Sequence, residues 1–409
     1  MKLFAHKHRI VSPIISLFCI VLLNTSLPVY SAAELPELQL FGSHKATKKA
    51  LSSLLSNGVT VRAEMSCLSD PETIQKLSKL AKGKENRVEL HLDHKNHQNK
   101  NSQEKIGKLQ KSGVHVALSP HLHAKIWHIE STKTGQQAVC IKSSNDSKNA
   151  ENNHEIGCIT RDEDVCAAAK LFFNNPPKCP HKTKPALSPS PIKQQLVHSF
   201  KTGINASRAE RIQTAINEKK ANPDRPIAIT MSSMNINDKR LLSLLGDAAK
   251  SGINTILYLN GEGITDKKIN ILQKCRDAGV HIFVTNAAKK AIMHSKLFLR
   301  SIGLSNLLEI STANATREGD DEQNYSLYVP NAPAATVESA VSVFKDIQRV
   351  STPLERLLVK KRKKHVENND NSPNYNNLLA FLSRKNGEAA ENIEEDQKKP
   401  ATKKLKFNN

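Results

Sequence analysis

Aromatic residues are scarce in this chain. Only 4% of its 409 residues are Phe, Trp or Tyr, and Trp127 is the single tryptophan. A sequence so poor in large amphipathic rings has little with which to enter a bilayer. No Cys-x-x-Cys spacing occurs, which argues against a structural zinc site. The apolar run from Ile10 to Leu23 is short and is broken by Ser12, Pro13 and Ser16, so it falls short of a membrane span. Acidic residues are in deficit, 39 against 60 Lys and Arg, which leaves a formal charge of +21. About +3 of this sits in residues 1–31 and about +5 beyond residue 350, so roughly +13 remains on the part between. A field of that sign favours polyanions, nucleic acid or anionic lipid headgroups among them. A Lys- and Asn-rich composition inherited from an AT-rich genome is the plainer alternative.

The apolar run has a different use. Lys2, Lys7 and Arg9 precede it, and Val29-Tyr30-Ser31 before Ala32-Ala33 offers a peptidase small residues. Residues 1–31 therefore read as an export signal, with a retained anchor as the alternative. The expected destination is the periplasm, the medium or, beyond it, a host cell. Export would put Cys67, Cys140, Cys158, Cys166, Cys179 and Cys275 in an oxidising compartment. Cys140 with Cys158, and Cys166 with Cys179, are the candidate bridges.

What is present is a repeat. His123-Ala124-Lys125 is followed by Ser143-Ser144-Asn145 and then by Asn153 and Glu155. His294-Ser295-Lys296 is followed by Ser311-Thr312-Ala313-Asn314 and then by Asn324. The approach is repeated too, Lys111-Ser112-Gly113-Val114-His115-Val116 against Asp277-Ala278-Gly279-Val280-His281-Ile282. Around each motif, short β-branched runs alternate with helical stretches, which predicts mostly parallel or mixed sheets covered on both faces. The expected organisation is a signal (1–31), an α/β domain (32–173), a Pro-rich linker (174–193), a second α/β domain (194–350) and a disordered basic tail (351–409). One polar constellation per copy predicts a pseudo-twofold monomer whose halves share one site, with no obligate protein partner.

Two imidazoles, two ammonium groups and two Asn amides suit a phosphodiester. One neutral His attacks phosphorus and the other protonates the leaving oxygen. The Lys and Asn groups supply donors around the equatorial oxygens, so no metal and no cofactor is called for.

These residues resemble the phospholipase D superfamily, whose mark is His-x-Lys, a following Asp, Gly-Ser-x-Asn and an Asn/Glu pair, present twice. The resemblance covers roughly residues 36–350. It implies two homologous α/β/α sandwich domains with the active site at their interface, acting through a covalent phosphohistidine. It also implies catalytic roles for His123, Lys125, His294, Lys296, Asn145, Asn314 and Glu155, and substrate contacts from Ser143, Thr312, Asn153 and Asn324. His123 is the expected nucleophile and His294 the general acid.

This chain departs from the pattern in several places. Glu130 and Ser301 stand at the Asp positions, Lys142 and Ser311 at the Gly positions, and Ser326 where a second acid is expected. Some branches, the tyrosyl-DNA phosphodiesterases among them, manage without that Asp. The expected substrate is nucleic acid. The alternatives are a phospholipid headgroup, or polyanion binding without turnover. Elsewhere, His91, His94 and His97 read as a solvated loop, His115 and His281 as structural, and Trp127 as packing the domain interface.

Overall fold

The structure, a computed structural model, describes residues 38–147, 150–151, 153–174, 194–199, 204–261, 264–285, 292–316 and 322–358. The expected export signal, the linker after Asn174 and the tail from 359 onward lie outside these residues.

The first half runs β1 (Leu38–Phe41), α1 (His44–Leu54), β2 (Val59–Met65), α2 (Pro71–Ala81), β3 (Arg87–Asp93), α3 (Lys100–Lys111) and β4 (His115–Ser119). It continues through β5 (Lys125–Ser131), β6 (Gln137–Lys142), β7 (Gly157–Thr160) and α4 (Glu163–Asn174). The second runs β8 (Gln195–Ser199), α5 (Ile204–Ala221), β9 (Ile227–Ser233), α6 (Lys239–Lys250), β10 (Asn254–Leu259), α7 (Asp266–Asp277) and β11 (His281–Thr285). After these come β12 (Leu297–Ile302), β13 (Ser305–Ser311), β14 (Asn324–Val329), α8 (Ala334–Arg349) and β15 (Ser351–Pro353).

Strand order in one sheet is β1-β7-β6-β5-β2-β3-β4, and in the other, read the same way, β8-β14-β13-β12-β9-β10-β11-β15. The halves share one topology, with β15 added to the second. β2, β3 and β4 run parallel in the first sheet and β9, β10 and β11 in the second, and the rest pair antiparallel.

Local chemistry sets the helix ends. Asp70 accepts from the Thr73 amide at 2.9 Å ahead of Pro71, and Asp238 accepts from Leu241 at 3.0 Å, so each fills an orphan donor of a first turn. Gly58 turns the chain after α1 at φ +77°, where a Cβ would be strained. In α5, Ser207 is an interior residue that accepts from Arg211 Nε at 3.2 Å.

Strand alternation sorts side chains between layers. On β5, Ile126 faces the other half while Trp127 and Ile129 face the outer layer with Leu51 and Leu77. On β12, Leu297 and Leu299 face inward and Phe298 outward. Ile126, Ile141, Phe173, Leu297, Ile310 and Phe344 thus form one continuous core between the halves. At roughly 1.5–3 kcal/mol per buried aliphatic or aromatic side chain, that seam holds as a domain core does. Trp127 does not pack the interface as expected. It is fully buried in the first half's outer core, with Lys142 Nζ 5.6 Å from its ring centre.

Two further expectations fail. Cys140 lies opposite Ile159 and Cys158 opposite Ile141, so the two thiols point to opposite faces and both are free. Cys166 is buried and free, and Cys179 lies outside the described residues. The second domain does not end at 350. Ser351–Pro353 pairs with β11, and Leu354 and Leu358 bury against its outer core.

Candidate active site

The two halves exchange short backbone contacts at the His-x-Lys motifs. His123 N donates to Gln323 O at 3.1 Å and Gln323 N to His121 O at 2.8 Å. In the same way, His294 N donates to His154 O at 2.9 Å and His154 N to Ile292 O at 2.9 Å. Each imidazole is therefore set by the opposite half. Nδ1 of His294 donates to Glu155 Oε2 at 3.0 Å, and Nδ1 of His123 donates to Asn324 Oδ1 at 3.0 Å. Both contacts fix the tautomer and leave Nε2 as the free nitrogen.

Beneath the rings the arrangement is doubled again. Ser143 Oγ donates to Glu155 at 2.6 Å, and Thr312 Oγ1 donates to Asn324 at 2.8 Å. Asn153 Nδ2 donates to Glu155 Oε1 at 3.3 Å. Lys125 Nζ donates to His123 O at 2.5 Å and Lys296 Nζ to His294 O at 2.7 Å. Asn145 and Asn314 follow the two hydroxyl residues, and each carries a buried side-chain oxygen with no protein partner. The imidazole side chains keep 20% and 14% exposure, for His123 and His294 respectively, enough for a ligand to reach them.

Burial dominates the electrostatics. Burial alone would raise the Glu155 carboxyl, but His294, Lys296 and the Ser143 hydroxyl outweigh it and hold it at about 2. Burial pulls the Lys125 ammonium down to about 7 against the opposing charges of Glu322 and Glu155. Burial, with Lys125 and Arg208, puts Lys296 well below the usual lysine range, although Glu155 opposes this. His123 is driven well below its ordinary value by burial and then by Lys125 and Lys296, with His294 adding to the effect. His294 is lowered by burial, less far because Glu155 opposes it. Four nitrogen bases crowded out of water are an unfavourable arrangement until an anion joins them.

The structure brings together His123, Lys125, His294, Lys296, Ser143, Thr312, Asn153, Asn324 and Glu155, and places Asn145 and Asn314 on the adjoining loops. It corrects their register in the second copy. Matched by contacts, Asn324 is the counterpart of Glu155, not of Asn153, and Glu322 is the counterpart of Asn153. Ser326 is not at the acid position. It donates to Ser311 Oγ at 2.8 Å and Glu309 at 3.4 Å in the sheet. Glu130 pairs with Lys170 at 2.9 Å and Arg62 at 3.8 Å, and Ser301 bonds Asn306 at 2.6 Å. Lys142, at a Gly position, bonds Asp146 in a buried pair.

Sequence reasoning missed Glu322, whose Oε2 lies 3.7 Å from His123 Nδ1. It also missed Glu64, a buried acid that accepts from Tyr325 Oη at 2.9 Å across the seam and contacts His91 Nδ1 at 3.3 Å. Both lack a motif and are recognisable only once the halves are docked. Of the three loop histidines, His94 is exposed, His91 sits half-buried on β3, and His97 is buried with Nδ1 donating to Asp93 O at 2.8 Å. His115 and His281 are exposed at the starts of β4 and β11 rather than structural. Among the described residues, no three His, Cys, Asp or Glu form a metal cluster.

The comparisons agree with this geometry. Residues 38–175 match the family described as cardiolipin synthase, PLD-like domain. No curated protein matches the chain. A polyphosphate kinase from Porphyromonas gingivalis aligns at TM-score 0.57 and 14% identity over 76% of this chain, which spans 50% of that one. A phosphatidylserine synthase from Haemophilus influenzae Rd KW20 aligns at TM-score 0.57 and 9% identity, over 82% of this chain and 96% of that one. Nuc, a phospholipase D family member from Salmonella typhimurium, aligns at TM-score 0.32 and 15% identity over 39% of this chain and 97% of its own. The chain shares the fold of these TM-score 0.57 structures, with two pseudo-symmetric α/β domains, and its first half matches the PLD-like domain family.

Proposed function

We propose that this protein is a phosphodiesterase that works through a phosphohistidine on His294, with His123 as the acid and base. The observation that carries the assignment is the unequal partnering of the two rings, a carboxylate on His294 and an amide oxygen on His123. Attack by Nε2 of His294 on phosphorus develops positive charge on that ring. Glu155, ionised and in contact with Nδ1–H, stabilises it. As the P–N bond forms, the P–O bond to the leaving group breaks, and Nε2–H of His123 gives its proton to the departing oxygen. Water then attacks phosphorus, His123 takes the water proton, and the P–N bond breaks to restore neutral His294. This reverses the roles expected from the motif alone.

Lys125 and Lys296 serve as fixed cations for the phosphoryl oxygens, in place of a metal. Nucleic acid is the favoured substrate, supported by the basic charge on the part of the chain between the expected signal and tail and by its scarcity of aromatic residues. A lipid headgroup is the second reading, favoured by the description of the matched family and by the similarity to a phosphatidylserine synthase. No helix among the described residues is long and apolar enough to cross a membrane. We further propose that the chain is exported by the signal at its start.

The test is hydrolysis of bis(p-nitrophenyl) phosphate, single-stranded DNA and phosphatidylcholine vesicles in EDTA. We expect turnover that survives EDTA and is lost in His123→Ala and His294→Ala, with the trapped phosphate mapping to His294. A label on His123 would overturn the role assignment. DNA binding without turnover of any substrate would leave only a polyanion-binding scaffold.

A further inference from the structure

The two copies end in the same residue types in exchanged order, Asn153-His154-Glu155 in the first and Glu322-Gln323-Asn324 in the second. The backbone crossings and hydroxyl donors follow the same exchange. His154 and Gln323 make the equivalent backbone crossings, and Glu155 and Asn324 receive the equivalent hydroxyl donors, so Asn153 and Glu322 occupy equivalent places. In the second copy the acid stands two positions before the equivalent of Glu155, just ahead of β14.

We propose that Glu322 is the carboxylate partner of His123, a positioning residue that favours the imidazolium of this ring in the proton-donating step. The inference rests on the reading of the site given above. Nδ1 of His123 has one hydrogen-bond acceptor, the Asn324 amide oxygen at 3.0 Å, and one carboxylate oxygen within ion-pair distance, Glu322 Oε2 at 3.7 Å. The first fixes the ring. The second supplies negative charge, and does so from a side chain that is 38% exposed and escapes most of the cost of burial.

The other charged groups facing His123 are Lys125, Lys296 and His294, and all three disfavour its protonation. Glu322 also favours the charged forms of Lys125 and Lys296, and its own negative charge counters part of theirs at the ring. The buried Glu155, in contact with Nδ1–H, suits a ring that takes on positive charge when it attacks and keeps it while the phosphoryl group is bound. The outer Glu322 suits a ring that must gain and lose a proton every cycle.

Glu322→Gln keeps the shape and removes the charge, at a position exposed enough for the fold to tolerate it. The discriminating readout is leaving-group dependence in single turnover. A dinucleotide departs as an alkoxide that must be protonated, whereas p-nitrophenolate leaves without help. We expect Glu322→Gln to slow dinucleotide cleavage by about tenfold or more and p-nitrophenolate release by less than about threefold. Losing the carboxylate disfavours the imidazolium, so the basic limb of kcat/KM for the dinucleotide should move to lower pH. The double variant Glu322→Asn with Asn324→Glu copies the first motif and should return dinucleotide cleavage to within about threefold of the parent. Equal slowing of both substrates, or an unmoved basic limb, would overturn the assignment while leaving the phosphodiesterase reading in place. A parent protein that cleaves neither substrate would remove that reading itself, and Glu322 with it.

Discussion

Glu155→Gln is the sharpest probe of this site, because Gln copies the shape of the protonated acid and deletes only the charge. Glu155 is 1% exposed and touches His294, Ser143 and Asn153. Its carboxyl stands at about 2 against an ordinary 4.5. At about 1.4 kcal/mol per unit, the folded protein favours the ionised form by roughly 3 kcal/mol. The folded value is the lower one, so this contribution is fully present above pH 4.5 and is lost as pH falls through about 2. Urea unfolding followed by circular dichroism should therefore find the variant less stable by about 3 kcal/mol at pH 7, with the gap closing steadily below pH 4.5. Single-turnover cleavage should fall about 10²–10⁴-fold, the scale of a lost imidazole partner. Equal midpoints at pH 7, or a gap undiminished at pH 3, would refute the electrostatic account of Glu155.

Two further outcomes follow from buried charge. Lys142→Met alone strands the Asp146 carboxylate and should cost about 3–5 kcal/mol, whereas Lys142→Met with Asp146→Leu should recover most of it; a double variant as unstable as the single would contradict this, with melting temperatures as the measurement. Because the Lys125 ammonium is pulled down to about 7, sulfate affinity measured by calorimetry should be flat below that pH and fall above it, by at most about tenfold per unit, and Lys125→Met should flatten the curve.

Much of the architecture was legible because local and global signals agree. β-branched runs, Asp before Pro71 and Gly58 at a left-handed turn all act within a few residues, and the strands and helices fall where those signals put them. The repeated His-x-Lys located the site for the same reason. The second acid was misplaced because Asn324 was matched to Asn153 by identity, while the fold matches it to Glu155 by register and by the Thr312 hydroxyl. His97 looked solvated because its neighbours are polar, yet a tight turn folds its ring back onto Asp93 and Leu68. Cys140 and Cys158 lie on adjacent strands, but the period-two pleat turns their side chains apart. Trp127 was misassigned for a related reason. Its neighbour Ile126 is the one that faces the seam, and a single step along a strand changes the layer.

The crossed bonds at the seam carry an implication for how such a chain can change over time. Neither half owns a complete reactive group, since each ring borrows its orientation from the polypeptide it is docked against. Drift in one copy is therefore felt first by the imidazole of its twin.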